Sequence, residues 1–157
     1  MDSKVVHYFQ RLAVRYEQRI DQRERIYRIS RDLTRESKRI ISGLLRGLSL
    51  AAARQQLVAA HHLIQNILTE VNDSVGYWRF WPSFSPGLQE FVEACALWHF
   101  LNDGSLATRL QIQSEVLETH PDMPFALSNL DYILGVADTT YGVVPDFFPH
   151  VRSPLQR

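Results

Sequence analysis

Between Val5 and Leu45 the chain carries no proline, and its only glycine there, Gly43, comes near the end. Apolar residues recur along this stretch at Phe9, Leu12, Tyr16 and Ile20, then at Ile26, Ile29, Leu33, Ile40 and Leu44. Steps of three and four mark one face of an amphipathic helix. Such a helix extends for ~60 Å if it passes Gln22 and Gly43 unbroken. Asp2 or Ser3 offers an N-cap, and Gly47 a C-terminal stop. A rod of that length needs other helices to cover its apolar side.

The remaining sequence supplies them. A second helix is predicted from about Ser49 to Val71, with Leu57, Val58, His61, Ile64, Leu68 and Val71 on one face. "NDSVGYWRFWPSFSPG" then breaks the pattern with two prolines, two glycines and small polar residues; the aromatic "YWRFW" in it forms one short helical turn or a packed loop. A third helix starts at Ser85 or Pro86, proline being acceptable in a first turn, and "NDGS" stops it near Asn102. A fourth covers Leu106 to Glu118, and after the "HPDMPF" turn a fifth begins near Leu127. No convincing strand pairs and no internal repeats are present. The fold class is all-α: a bundle of long antiparallel helices, with residues 1–142 as one helical domain and 143–157 as an irregular, proline-rich tail.

Composition narrows the function classes. With 157 residues, 45% hydrophobic and 22% charged, the chain can bury a real core as about one domain. Seventeen basic and seventeen acidic residues cancel, so net charge names no partner. A single cysteine, Cys95, excludes an internal disulfide framework and suits a reducing compartment. No run approaches the ~20 apolar residues of a membrane helix, and the N-terminus lacks a signal-peptide core. These features predict a cytoplasmic or nuclear protein without a membrane partner.

The chemistry centres on "GLQEFVEACALWHFL", residues 87–101. Glu90 and Glu93 lie roughly 60° apart on one helical face, in a segment apolar all round. Two carboxylates there repel one another and lose hydration, so a positive group is expected against them: an arginine, a shared proton or a metal ion. A buried Glu–Arg network, a metal site and plain surface exposure all satisfy the pattern. In "LDYILGVADTTYG", residues 130–142, Asp131 and Asp138 are two turns apart on a shared face, and Gly135 and Ala137 allow close approach. Asp131 reads as the cap of its helix. Arginines at 11, 15, 19, 23, 31, 35 and 39 follow a four-residue step, interleaved with acids. That ridge is either a phosphate track or a salt-bridged solvent face. His61 and His62 are adjacent and make a poor metal pair, and His99 reads as a satisfied core residue. No phosphate loop, nucleophile elbow, HExxH or zinc spacing occurs.

Three stretches, "RERIYRISRDLTRESKR" (23–39), "SPGLQEFVEACALWHFL" (85–101) and "DYILGVADTTYG" (131–142), resemble the translin family. "GLQEFVEA" is similar to the factor X branch of that family, whose members partner translin. The resemblance runs in order from about residue 7 to 142. It implies a bundle of long helices that joins translin in a closed, hollow hetero-oligomer. It also implies a divalent-metal-dependent endoribonuclease acting on single-stranded RNA, such as nicked passenger strands and tRNA-processing fragments, with single-stranded DNA as a further ligand. The resemblance carries the catalytic and metal-holding carboxylates onto Glu90, Glu93 and Asp138, with Mg²⁺ or Mn²⁺ as the cofactor, and the lysine of "ESKR" onto Lys38. Arg31, Arg35 and Arg39 beside Lys38 are expected to follow the RNA backbone.

The chain departs from the family pattern after "GVAD". The family continues its helix through a pattern like "LTGELMR", with another acid one turn on; here that position is Gly142. Pro145, Pro149 and Pro154 forbid a continuing helix, and Asp146 lies beyond the expected turn. Residues after about Thr140 therefore read as a frameshift, a retained intron or a misplaced gene end. A non-catalytic subunit that only binds RNA or completes a translin oligomer stays open as the alternative. So does an unrelated helical scaffold that binds protein.

Overall fold

The computed structural model describes residues 3–71, 74–119, 121 and 127–139, and these contain five helices and no strand. They are α1 (Ser3–Leu45), α2 (Leu50–Val71), α3 (Ser74–Asp103), α4 (Arg109–Thr119) and α5 (Asn129–Asp138). Gly142 and the proline-rich tail lie outside the described residues, as do Asp2 and the expectation of a displaced gene end.

Successive helices reverse direction. Gln22 and Arg25 of α1 reach Glu70 near the end of α2, while Gly43 sits against Leu48 at the turn. Trp98 Nε1 of α3 donates to the Leu50 carbonyl at the start of α2, and Phe91 meets the His61 ring edge-on at 5.5 Å. His99 of α3 and Arg54 of α2 both contact Glu115 of α4. α5 keeps the alternation: its residues 131 to 139 ascend beside residues 85 to 93 of α3, so these two run parallel. α3 is the central element, and its Phe84, Leu88, Phe91, Val92 and Leu97 are all but sealed from water.

The first turn of chain reversal is set by local chemistry. Gly47 has φ +92°, Leu48 N–H donates to the Gly43 carbonyl, and Gly47 N–H to that of Leu44. This is the Schellman closure, which needs a left-handed residue at that position. Gly47→Ala is expected to cost ~1 kcal/mol in urea unfolding; an unchanged midpoint would show that the turn relaxes. The fourth helix starts later than the apolar spacing suggested. Thr108 Oγ1 accepts from Gln111 N–H while Gln111 Oε1 accepts from Thr108 N–H, a reciprocal cap that fixes the start at Arg109.

Two expectations are corrected. The "YWRFWPSFSPG" stretch is not a loop but the first half of α3, which runs through Pro82 and Pro86. Each proline withholds one amide from the carbonyl four residues earlier. Both prolines are on the solvent side, where water can meet those carbonyls. Phe80 and Phe84 on the opposite side are buried, and Tyr77 and Trp81 pack against the core. Four aromatic anchors outweigh two lost hydrogen bonds. The apolar stripe of α1, by contrast, is covered only from Ile26 onward; Phe9 and Tyr16 remain 63% and 67% exposed.

Candidate functional site

Glu90 and Glu93 stand at the edge of the bundle, not in its middle. α3 presents them in the open sector between α1 on one side and α5 on the other. From α1, Lys38 Nζ lies 3.2 Å from Glu90 Oε1, so the expected positive group is a lysine, not an arginine. Glu90 is 24% exposed and Lys38 62% exposed, which leaves the ammonium open to solvent beside the pair. From α5, Thr139 Oγ1 donates to the Glu93 carbonyl at 3.3 Å, and its neighbour Asp138 faces water.

The electrostatics mark this edge as unbalanced. Glu93 has its pKa pushed up from 4.5 to about 7, first by burial, then by the negative charges of Glu90 and Asp138, against a smaller opposing pull from Lys38. Asp138 adds a negative charge at the C-terminal end of α5, where the helix dipole disfavours one. Three carboxylates from two helices thus face one lysine. Among the described residues, no three His, Cys, Asp or Glu side chains form a ready metal cage. Mg²⁺ does not require one: it binds through one or two carboxylates and keeps waters and substrate phosphate oxygens for its other positions. Excess negative charge on oxygen donors, reachable from solvent, fits that demand.

The basic ridge divides. Arg35 pairs with Asp32 at 3.0 Å and Glu36 at 3.6 Å, and Arg39 pairs with Glu36 at 3.0 Å. Both turn along the outer surface of α1. Arg31, exposed and two turns before Lys38, shares the lysine's side of the helix.

A glycine seats α5. A Cβ on Gly135 would meet the Gln89 carbonyl oxygen at 2.6 Å and Val92 at 2.7 Å, so the backbones of α5 and α3 nearly touch there. The model of the translin family matches residues 21–141, most of the chain, and so spans all four site residues.

The chain belongs to the translin family.

Among curated relatives, Translin-associated protein X of Mus musculus is 29% identical over 89% of this chain, and that of Pongo abelii is 28% identical over 88%. This translin-family chain spans about 57% and 56% of the lengths of those two relatives. A solved structure titled "Crystal structure of apo-NeC3PO" superposes with a TM-score of 0.65 at 19% identity, over 83% of this chain and 61% of that one. It bears out the all-α bundle.

Sequence reasoning misplaced one residue and missed others. Asp131 does not cap its helix; Ser128 does, its hydroxyl accepting from Asp131 N–H at 3.0 Å. Asp131 is fully buried and takes hydrogen bonds from Trp81 and Ser85 of α3. Burial and this carboxylate push the Tyr77 hydroxyl up to about 12. Thr139, which ties α5 to the Glu93 backbone, also went unread. A signal was present: Trp81, Ser85, Gln89 and Glu93 follow a four-residue step along α3. His99 is as expected, a satisfied residue 2.7 Å from Glu115. No described helix is long and apolar enough to cross a membrane.

Proposed function

We propose that this chain is a catalytic-type subunit of a translin-containing hetero-oligomer that cleaves single-stranded RNA in the cytoplasm and nucleus with a divalent metal. The observation that carries the reading is the convergence of Glu90, Glu93 and Asp138 with Lys38 at one solvent-open edge. Glu90, Glu93 and Asp138 would hold Mg²⁺ or Mn²⁺, which when bound lowers the pKa of a water and offsets charge on a phosphate. Lys38 Nζ, anchored on Glu90 yet open to water, meets a phosphate oxygen as a point charge. Arg31 extends the positive edge along the strand; Arg35 and Arg39 add to it when substrate competes for their acidic partners. Single-stranded DNA fits the same edge.

The test is cleavage of a labelled single-stranded RNA by the chain co-expressed with translin, in Mg²⁺ and in EDTA. Mg²⁺-dependent cutting that a Glu90→Ala/Glu93→Ala double variant reduces by about 10³-fold supports the reading. RNA retained without cutting would make the chain the non-catalytic, RNA-binding partner instead. Neither binding nor cutting would refute both.

A further inference from the structure

We infer that Asp131 is a positioning residue: its buried carboxylate locks α5 into one register on α3 and so holds Asp138 against Glu93. The inference rests on the site proposed above. Asp131 is sealed from water in the first turn of α5, on the far side of that helix's length from Asp138. Four side-chain donors converge on it. Oδ2 accepts from Trp81 Nε1 at 3.0 Å and Ser128 Oγ at 2.8 Å; Oδ1 accepts from Ser85 Oγ and from Gln89 Nε2 at 3.2 Å.

Three of those donors come from α3 at steps of four, and the next step is Glu93. α5 answers with its own row at the same step: Asp131, Gly135, Thr139. The rows meet rung by rung. Asp131 meets Trp81, Ser85 and Gln89; Gly135 meets the Gln89 carbonyl; Thr139 meets the Glu93 carbonyl. A slip of one residue would turn Asp131 by ~100° away from its donors and carry Asp138 ~1.5 Å along and as far around. A carboxylate buried without donors is strongly disfavoured, so the latch admits one register. α5 has ten residues, too few to hold its position unaided. Carboxylate contributed by α5 is thus only as well placed as the latch two turns before it.

The experiment compares Asp131→Asn, Ser85→Ala and Ser85→Thr with the unaltered chain, each full-length and co-expressed with translin. Four quantities are read: Mn²⁺ uptake by electron paramagnetic resonance, amide hydrogen exchange of α5 without metal, RNA retention in EDTA, and cleavage kinetics. Asp131→Asn is expected to weaken Mn²⁺ uptake by about 10-fold or more and to lower kcat with KM for RNA unchanged. The α5 amides should exchange faster while those of α1 and α2 and RNA retention hold. Ser85→Ala should move the same readouts less, and Ser85→Thr, which keeps the hydroxyl, should restore them; this pair decides the matter if Asp131→Asn fails to fold. Faster α5 exchange with unchanged Mn²⁺ uptake and kcat would reduce the latch to a stability element and overturn the proposal, as would unchanged α5 exchange. Failure of the site itself reads differently: the unaltered chain would then take up no Mn²⁺ that Glu93→Gln removes.

Discussion

Glu93→Gln is expected to raise thermal stability in EDTA at pH 8 while lowering Mg²⁺-dependent RNA cleavage by roughly 10²- to 10³-fold. The two effects have one cause. Burial and the charges of Glu90 and Asp138 hold the Glu93 pKa at about 7, well above its ordinary 4.5. Between those values the folded chain keeps a proton that the unfolded chain has released. Stability contributed at this site is therefore fully present below about pH 4.5 and is lost as pH rises to 7. Glutamine removes the repulsion without removing the shape. Glu93 is only partly buried, so solvent screening keeps the gain small: roughly 2–4 °C in Tm at pH 8 and under ~1 °C at pH 4.5.

Metal should reverse the order. A ligand that binds only the folded state at ten times its Kd adds about 1.4 kcal/mol. Saturating Mg²⁺ is thus expected to raise the Tm of the unaltered chain and leave Glu93→Gln unmoved. Melting both proteins at pH 4.5 and 8, with Mg²⁺ and with EDTA, checks every sign. A variant that is less stable at pH 8 in EDTA would mean that Glu93 is not held against its neighbours' charge. An unaltered chain indifferent to Mg²⁺ would remove the metal from the reading.

How much of this could be read from residues alone varied with the physics behind each feature. The long helix of α1 was legible because forty uninterrupted positions at helical spacing admit nothing else, and Gly47 stopped it as a left-handed residue should. The start of α3 was not legible. Pro82, Pro86 and two nearby glycines outweigh helical signals locally, and only tertiary burial of Phe80 and Phe84 reverses that balance. The glutamate pair was visible as a chemical anomaly, a doubled charge in an apolar run. Its true place at an edge depends on which side of α3 lies between α1 and α5, which periodicity within α3 does not specify. Lys38 was a site residue by family likeness, but its pairing with Glu90 was not legible, since nothing in the spacing joins residue 38 to residue 90. Asp131 shows the opposite failure: an acid beside a helix start looks like a cap until a serine three residues earlier takes that role and leaves the carboxylate to face α3.

The second large effect separates stability from function with two glycines of the same chemistry. A Cβ on Gly87 would lie 2.8 Å from the carbonyl oxygen and the hydroxyl of Ser30, and 3.4 Å from Leu33. Helix propensity favours alanine over glycine by ~1 kcal/mol, but overpacking typically costs about 1–3 kcal/mol. The carbonyl belongs to the backbone of α1 and cannot rotate aside, and α1 and α3 are too long to separate locally. Gly87→Ala is therefore expected to lose up to ~2 kcal/mol, or roughly 4–8 °C in Tm. Gly135 is tighter still, with the Gln89 carbonyl oxygen at 2.6 Å, yet α5 is a ten-residue helix at the border of the described bundle. Beyond the Asp131 latch its C-terminal half can yield by lifting from α3, which spares the core and moves Asp138. Gly135→Ala should leave Tm within ~2 °C of the parent and lower cleavage by about 10²-fold, the usual penalty for a displacement near 1 Å. Melting curves and single-turnover cleavage of both variants distinguish the two outcomes. If Gly135→Ala melted early and Gly87→Ala did not, α5 would be an integral wall of the core, and the carboxylate it carries could not be moved independently of the fold.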